Sequence, residues 1–214
     1  MKKTILLDHY DATDKILLVD LDNTLFGAMN ALERHLDWYH MEGQETYSFK
    51  PSWREKAQEG LDAFHKEEVL REMDFIPEVV EVLEKFLSQS TRNKVMIVTK
   101  TRPENAELRL ELALQNEILK NRCVGIMVWQ DKYPIKQILT LFDNVVGLVD
   151  DNPSNWEIVL DYGIPVAPVL YKYNENFARL LLNKYNTFEE NCVIVPAIKT
   201  IKGSGDVIYA NWRN

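Results

Sequence analysis

The sequence has few cysteines, no long apolar run and no excess of positive charge. Its two cysteines, Cys123 and Cys192, lack zinc-ligand spacing, which favours two buried thiols in a reducing compartment. No stretch approaches the roughly 20 apolar residues that span a bilayer. The apolar run near the start is too short for a signal peptide and is interrupted by Asp8. We therefore predict a cytoplasmic protein that does not bind a membrane.

The charge balance argues against a nucleic-acid-binding protein, and the lack of a glycine-rich loop after the first strand argues against a dinucleotide-binding protein. Lysine and arginine number 25 against 33 aspartates and glutamates, so the formal net charge is -8. Because an acidic surface repels polyanions, we expect no nucleic acid polymer as a partner. The first apolar run ends in Asp20-Leu-Asp22 and not in a glycine-rich loop, so the dinucleotide-binding fingerprint is absent.

Short apolar runs that do not alternate with polar residues are the main structural signal. This pattern is expected for strands that helices cover on both faces. The runs are residues 16–20, 95–99, 124–129, 145–150 and 164–170. Segments with helical spacing lie between or after them, at residues 78–88, 104–119, 135–141 and 155–162. The alternation predicts an α/β protein with a doubly wound, Rossmann-like and mostly parallel sheet.

Two regions depart from this alternation. Residues 28–74 contain no strand candidate and fit two amphipathic helices, 28–41 and 52–73, the second opened by Ser52 as N-cap. Residues 192–212 contain two extended runs about a glycine-containing turn, which predicts a C-terminal β-hairpin that pairs with the run at 4–7. We therefore divide the chain into an α/β catalytic core, 1–27 and 75–214, and a small all-helical cap, 28–74.

Polar side chains follow four of the predicted strands. The first ends in Asp20 and Asp22, the second in Thr99 and Lys100, the third in Lys132 and the fourth in Asp150 and Asp151. Ligands of an open parallel sheet bind at the carboxyl ends of its strands, so we expect these groups to meet at one edge. Carboxylates that close together require a cation, and Mg²⁺ suits carboxylates that share their metal with a phosphate.

At this point the sequence resembles the haloacid dehalogenase-like hydrolase superfamily, and specifically its phosphatases with a small helical cap. The segment Ile16-Leu-Leu-Val-Asp20-Leu-Asp22-Asn-Thr24-Leu25 is similar to the first motif of that superfamily. Val95-Met-Ile-Val-Thr99 is similar to the second, Lys132 to the third and Val149-Asp150-Asp151 to the fourth. A weaker resemblance, carried by Asp131-Lys132 and Asp150-Asp151-Asn-Pro153, is to the 5'(3')-deoxyribonucleotidases.

The resemblance implies a role for each of these residues. Asp20 is the expected nucleophile, and Asp22 the acid that protonates the leaving alkoxide and then the base that activates water. Thr99 and Lys132 are expected to bind the phosphate, with Lys100 as a further substrate-binding candidate. The implied Mg²⁺ ligands are a carboxylate oxygen of Asp20, the backbone carbonyl of Asp22, and Asp151.

Several assignments stay open at the level of sequence. Asp150 is either an outer-sphere partner of the metal or exchanges roles with Asp151, and Lys136 is the alternative to Lys132. Lys100 and Arg102 either add positive charge at the mouth of the site or are simply solvated. The aromatic rings of residues 28–74, among them Trp38, Tyr39 and Phe64, either stack on a nucleobase or form the core of the cap.

The function that follows from the resemblance is hydrolysis of a phosphomonoester through an aspartyl-phosphate. The expected substrate is a small phosphorylated metabolite, with nucleoside monophosphates as candidates. One alternative is a phosphotransferase or phosphomutase on the same scaffold. The other is a protein that binds a phosphorylated ligand without turning it over. The sequence does not indicate an oligomeric state.

Overall fold

A computed structural model of the protein describes residues 2–7, 11–39, 55–129, 134–171, 173–184 and 195–196. Within these residues seven strands form one sheet in the order β1-β4-β3-β2-β5-β6-β7. The strands are β1 (Lys2–Leu6), β2 (Lys15–Val19), β3 (Asn93–Thr99), β4 (Cys123–Trp129), β5 (Val145–Asp150), β6 (Val166–Leu170) and β7 (Val195–Pro196). All neighbouring pairs from β4 to β7 are parallel, and β1 alone runs antiparallel. The predicted doubly wound α/β class is confirmed.

The strand order places a topological switch point beside β2. From β2 the chain first moves outward to β3 and β4, then returns to β5 on the other side of β2 and continues to β6. Val19, the last residue of β2, is in register with Ile97 of β3 and Val149 of β5. Because the connections on the two sides of a switch point diverge, a crevice opens at the carboxyl end of β2. Asp20 directly follows Val19 into that crevice.

Helices flank both faces of the sheet. They are α1 (Ala28–His35), α2 (Ala57–Phe64), α3 (Glu67–Arg71), α4 (Pro77–Ser88), α5 (Ala106–Ala113), α6 (Glu117–Lys120), α7 (Pro134–Leu141), α8 (Pro153–Asp161) and α9 (Glu175–Lys184). In β2, Leu17 and Val19 belong to one buried apolar cluster, and Ile16 and Leu18 to a second. This division explains why the strand is apolar at every position, as the sequence predicted.

Two of the predicted helices are interrupted in the structure. The segment predicted as 104–119 is a 3-10 turn, Pro103–Asn105, followed by α5 and α6. The break has a local cause, because the side chain of Asn116 accepts a hydrogen bond from the backbone N–H of Ile118 at 3.0 Å and so starts a new helix. The segment predicted as 52–73 contains α2 and α3, separated at Lys66, whose backbone is extended. Ser52 lies outside the described residues.

The first strand forms one edge of the sheet, and its predicted pairing with the C-terminal hairpin stays a prediction, because most of that hairpin lies outside the described residues. β1 lies antiparallel to β4, with Ile5 opposite Ile126. Gly125 permits this approach, because its φ is 144° and a Cβ there would lie 2.1 Å from the backbone oxygen of Ile5. The predicted hairpin lies outside the described residues except for Val195 and Pro196, which extend the other edge beyond β6.

Among the described residues of the predicted cap, the regular secondary structure is helical. These helices share one apolar cluster with the sheet. Leu32 of α1 and Leu70 of α3 are buried in the same cluster as Val19. Tyr39 is also buried there, and Trp38 and Phe64 pack against it, so these three rings serve the core. The boundaries of the cap at residues 28 and 74 stay a prediction.

Two expectations drawn from composition can be compared with the described residues. Cys123 is a buried free thiol, and burial raises its pKa to about 11. Cys192 lies outside the described residues. None of the described helices is long and apolar enough to cross a membrane.

Candidate active site

Three aspartates meet at the carboxyl ends of β2 and β5. Asp20 follows β2, Asp150 is the last residue of β5, and Asp151 comes next. One carboxylate oxygen from each of the three lies within 4.8 Å of the others. The backbone N–H of Asp20 also donates to the carbonyl of Val149 at 3.0 Å, which ties the two strand ends together. The meeting of these carboxylates, expected from the sequence, is therefore found.

Burial makes this acidic cluster unfavourable without a cation. Asp150 and Asp151 are fully buried. Burial, followed by the charges of Asp150 and Asp151, holds the pKa of Asp20 well above its usual range. Burial also raises the pKa of Asp151 strongly and that of Asp150 to about 7. The set of three oxygen donors with this charge fits a hard dication such as Mg²⁺, which would compensate the repulsion.

The fourth-motif aspartates are held by different partners. Asp150 accepts hydrogen bonds from the backbone N–H of Asn152 at 2.6 Å and from Nδ2 of Asn155 at 2.8 Å. Its backbone carbonyl accepts a hydrogen bond from Nε1 of the buried Trp156 at 2.7 Å. Asn152 caps α8 through its side chain, which accepts from the N–H of Ser154. The start of α8 therefore holds the carboxylate of Asp150 in place.

Asp151 is held by Thr24 of the first motif and by two residues that the sequence analysis did not identify. Its two oxygens accept hydrogen bonds from the hydroxyls of Thr24, at 3.4 Å, and Tyr173. Asn174 donates to the backbone carbonyl of Asp151 at 2.7 Å. The ring of Tyr173 stacks on that of Tyr171, with centroids 5.1 Å apart. Tyr173 and Asn174 follow β6, so applying the strand-end rule to the fifth predicted strand would have found them.

The turn after β2 has a backbone that few residue types adopt. Asn23 has a φ of 60°, in the left-handed region where asparagine is one of the few tolerated residues. Its side chain accepts a hydrogen bond from the N–H of Met29 at 3.1 Å, at the start of α1. Asp22 lies in this turn close enough to Asp20 for its charge to contribute to the raised pKa of Asp20.

Thr99 ends β3 with an unpaired hydroxyl. The residue is 3% exposed, and its Oγ1 has no hydrogen-bond partner among the described residues. A buried hydroxyl without a partner lowers the stability of the folded protein by about 1 to 3 kcal/mol, so this hydroxyl needs an acceptor. An oxygen of a bound phosphate would be a suitable acceptor for this donor.

Asp22 forms an ion pair that the sequence did not predict. Nη1 of Arg109, in α5, donates a hydrogen bond to Oδ1 of Asp22. The side chain of Arg109 is 1% exposed and that of Asp22 is 17% exposed. The guanidinium lies over the ring of Phe64, 5.2 Å from its centroid. Nothing in the local sequence marks Arg109, because its partners lie in α2 and in the turn after β2.

The predicted lysines are only partly described. Lys132 lies outside the described residues, so its phosphate-binding role stays a prediction. Lys136, the alternative, lies in α7 with an exposed side chain. Lys100 directly follows Thr99 and is exposed, while Arg102 forms an ion pair with Asp62 at 2.9 Å.

Comparison with solved structures finds this fold in haloacid dehalogenase-like hydrolases. One hydrolase of that family, from Streptococcus pneumoniae, is 14% identical with a TM-score of 0.53, covering 80% of this chain and 91% of that one. A putative β-phosphoglucomutase from Bacteroides vulgatus is 17% identical with a TM-score of 0.50, covering 88% of this chain and 86% of that one. A scan of protein-family models and a search of curated proteins find no match.

The protein therefore has the haloacid dehalogenase-like fold, and the resemblance stated from the motifs is confirmed at this level. Sequence identities this low establish the fold alone. The activity has to be argued from the residues at the site.

Proposed function

We propose that the protein is a magnesium-dependent phosphomonoesterase that works through an aspartyl-phosphate on Asp20. The cluster of Asp20, Asp150 and Asp151 within 4.8 Å is the observation that carries this proposal. The unpaired hydroxyl of Thr99 supports it, because phosphate oxygens are the acceptors that this donor lacks. The substrate we propose is a small phosphorylated metabolite, and nucleoside monophosphates remain candidates.

In the first half-reaction, a carboxylate oxygen of Asp20 attacks phosphorus and the ester oxygen of the substrate leaves. Asp22 gives that oxygen a proton, so the alcohol departs neutral. Thr99 donates a hydrogen bond to the transferring phosphoryl group. In the second half-reaction, Asp22 takes a proton from water, which attacks phosphorus and releases inorganic phosphate and the free carboxylate of Asp20.

Mg²⁺ bound by Asp20, Asp151 and the backbone carbonyl of Asp22 would stabilise the negative charge that develops on the phosphoryl oxygens. Asp150, held by Asn152 and Asn155, is proposed as an outer-sphere partner. The hydrogen bonds from Thr24 and Tyr173 keep Asp151 directed at the site.

The ion pair with Arg109 fixes the position of the Asp22 carboxylate in the turn after β2. The side chain of Arg109 is 1% exposed and lies over the ring of Phe64, so it is itself held in place. We therefore propose that Arg109 positions Asp22 for proton transfer.

Hydrolysis of p-nitrophenyl phosphate by the purified protein, with and without Mg²⁺, tests the proposal. We expect Asp20→Asn to abolish Mg²⁺-dependent release of p-nitrophenol and phosphate while the fold stays intact. Asp143→Asn is the matched control, since this exposed residue lies before β5 at the opposite end of the strand. Substantial activity in Asp20→Asn would refute the assigned nucleophile. Release of p-nitrophenol that requires an added alcohol, with an alkyl phosphate as the product instead of inorganic phosphate, would indicate the phosphotransferase alternative.

A further inference from the structure

A small cavity lies between α2 of the helical cap and the carboxyl ends of β3 and β4. Its volume is about 220 Å³, and it is lined by His65, Lys100, Thr101, Arg102 and Trp129. Lys100, Thr101 and Arg102 directly follow Thr99, and Trp129 ends the neighbouring strand. The cavity is therefore beside the phosphate site but is not lined by the acidic cluster.

The strand register sets the distance from the cavity to the nucleophile. Val19 is in register with Ile97, so Asp20 is level with Val98 on the adjacent strand. Lys100 lies two residues further along that strand direction. With about 3.3 Å per residue and about 4.8 Å between strands, the separation of Lys100 from Asp20 is about 8 Å between Cα atoms. This distance is suited to a second group on the same small substrate and exceeds the reach of the transferred phosphate itself.

The side chains of the cavity favour an anion. Lys100 is exposed and has no ion-pair partner among the described residues, and Arg102 is paired only with the exposed Asp62. Oγ1 of Thr101 and Nδ1 of His65 lie 3.4 Å apart. Burial, followed by the charges of Arg102 and Arg109, holds the pKa of His65 below its usual range.

Lys100 and Arg102 give this cavity two cationic side chains, in a chain whose formal net charge is -8. Guanidinium and ammonium groups at the wall of a cavity bind carboxylate and phosphate oxygens well. The exposed Asp62 is a weak competitor, because surface ion pairs contribute little stability. An anionic ligand would therefore exchange readily with the Asp62 carboxylate on Arg102.

We propose that this cavity binds a second anionic group on the alcohol part of the phosphate ester, through Lys100, Arg102 and Thr101. The substrate class is then a phosphomonoester that also carries a carboxylate or a second phosphate. This inference rests on the proposed function of the neighbouring site. The face of Trp129 and the ring of His65 would contact the carbon chain that joins the two anionic groups.

Three esters of one chain length test this proposal. They are n-butyl phosphate, 4-(phosphonooxy)butanoate and butane-1,4-diol bisphosphate, each assayed with Mg²⁺ for kcat/KM. We expect at least one of the two esters with a second anion to exceed butyl phosphate by about tenfold or more. The better of the two identifies the second group as carboxylate or phosphate.

Variants then assign the preference to the cavity. Arg102→Gln and, separately, Lys100→Gln should lower the ratio of kcat/KM for the better ester over butyl phosphate by about tenfold. Asp62→Asn should keep or raise that ratio, because it removes the competitor of the anion and leaves Arg102 charged. Lys120→Gln, an exposed lysine in α6 before β4, should leave the ratio as in the parent protein. Circular dichroism verifies that each variant is folded.

Binding to Asp20→Asn protein, measured by titration calorimetry with the same three compounds, separates this inference from the proposed activity. Turnover of all three esters at similar kcat/KM, with no effect of Arg102→Gln or Lys100→Gln, would overturn the cavity assignment and leave the phosphatase standing. Tighter binding of the esters with a second anion, lost in the Arg102→Gln background, supports the cavity even without hydrolysis. If the protein shows neither turnover of the esters nor preferential binding of those with a second anion, both proposals are overturned.

Discussion

Replacing Asp151 with asparagine should stabilise the metal-free protein and reduce its response to Mg²⁺. The carboxylate oxygens of Asp20, Asp150 and Asp151 lie within 4.8 Å of one another. At an effective dielectric constant of about 20, two unit charges at that distance repel each other by about 3.5 kcal/mol. Asparagine has nearly the same shape as aspartate but no charge, so the substitution removes the repulsion and keeps the packing.

The hydrogen bonds of Asp151 tolerate this change. Its oxygens accept from the hydroxyls of Thr24 and Tyr173. A hydroxyl can turn to accept a hydrogen bond, so the amide of asparagine can donate to one of them. We therefore expect a net gain of about 3 kcal/mol in the free energy of unfolding at pH 8 without metal. For a chain of this size the gain corresponds to a rise in Tm of about 6 to 12 °C.

The dependence of stability on pH follows from the same carboxylates. The pKa of Asp150 is raised from the ordinary 3.8 to about 7, so the folded protein binds this proton more tightly than the unfolded chain. Stability of the metal-free protein is therefore greatest below about pH 4 as far as this group is concerned. It falls as the pH rises towards 7 and above, by at most about 4 kcal/mol for this group. The loss should be smaller in Asp151→Asn.

Thermal unfolding followed by circular dichroism, with EDTA or with Mg²⁺ at pH 8, measures these effects. Mg²⁺ at about 100 times its Kd should raise the stability of the parent protein by about 2.7 kcal/mol. The rise should be much smaller in Asp151→Asn and unchanged in Asp143→Asn, which is exposed and distant. A lower metal-free Tm in Asp151→Asn, or an equal response to Mg²⁺ in both proteins, would refute the argument from repulsion.

Two other substitutions test the site through stability and activity together. Thr99→Val removes a hydroxyl that has no partner among the described residues, so we expect the free energy of unfolding to stay constant or rise by about 1 kcal/mol. The value of kcat/KM for p-nitrophenyl phosphate should fall about tenfold. A stability loss without an activity loss would contradict the phosphate-binding role. Asp22→Asn leaves the buried Arg109 without a counter-charge, so we expect the free energy of unfolding, measured with urea, to fall by about 3 kcal/mol. The double variant Asp22→Asn, Arg109→Met should recover most of that stability. The activity of the single variant Asp22→Asn should fall most for esters with basic leaving groups. An equal loss of activity across leaving groups would count against the acid role of Asp22.

The strands and the acidic cluster were predictable because both follow from local patterns and one geometric rule. Residues 145–149 are apolar without alternation, which indicates a strand covered on both faces, and together with Asp150 they form β5. Carboxyl ends of parallel strands share one edge, so Asp20 and Asp150 had to approach each other once the sheet formed. The interruption at Asn116 was also predictable, since an N-cap residue is a local signal.

The sequence by itself thus determined the fold class, the edge of the sheet that carries the site and the carboxylates that meet there. Only the tertiary structure decided the pairing of β1 with β4, the support of Asp151 by Tyr173 and the ion pair of Asp22 with Arg109. Asp22 and Arg109 are 87 positions apart, and no periodicity or motif relates residues across such a distance. Such contacts arise from the way in which α2 and α5 pack beside the sheet, and this depends on the shapes of many side chains at once.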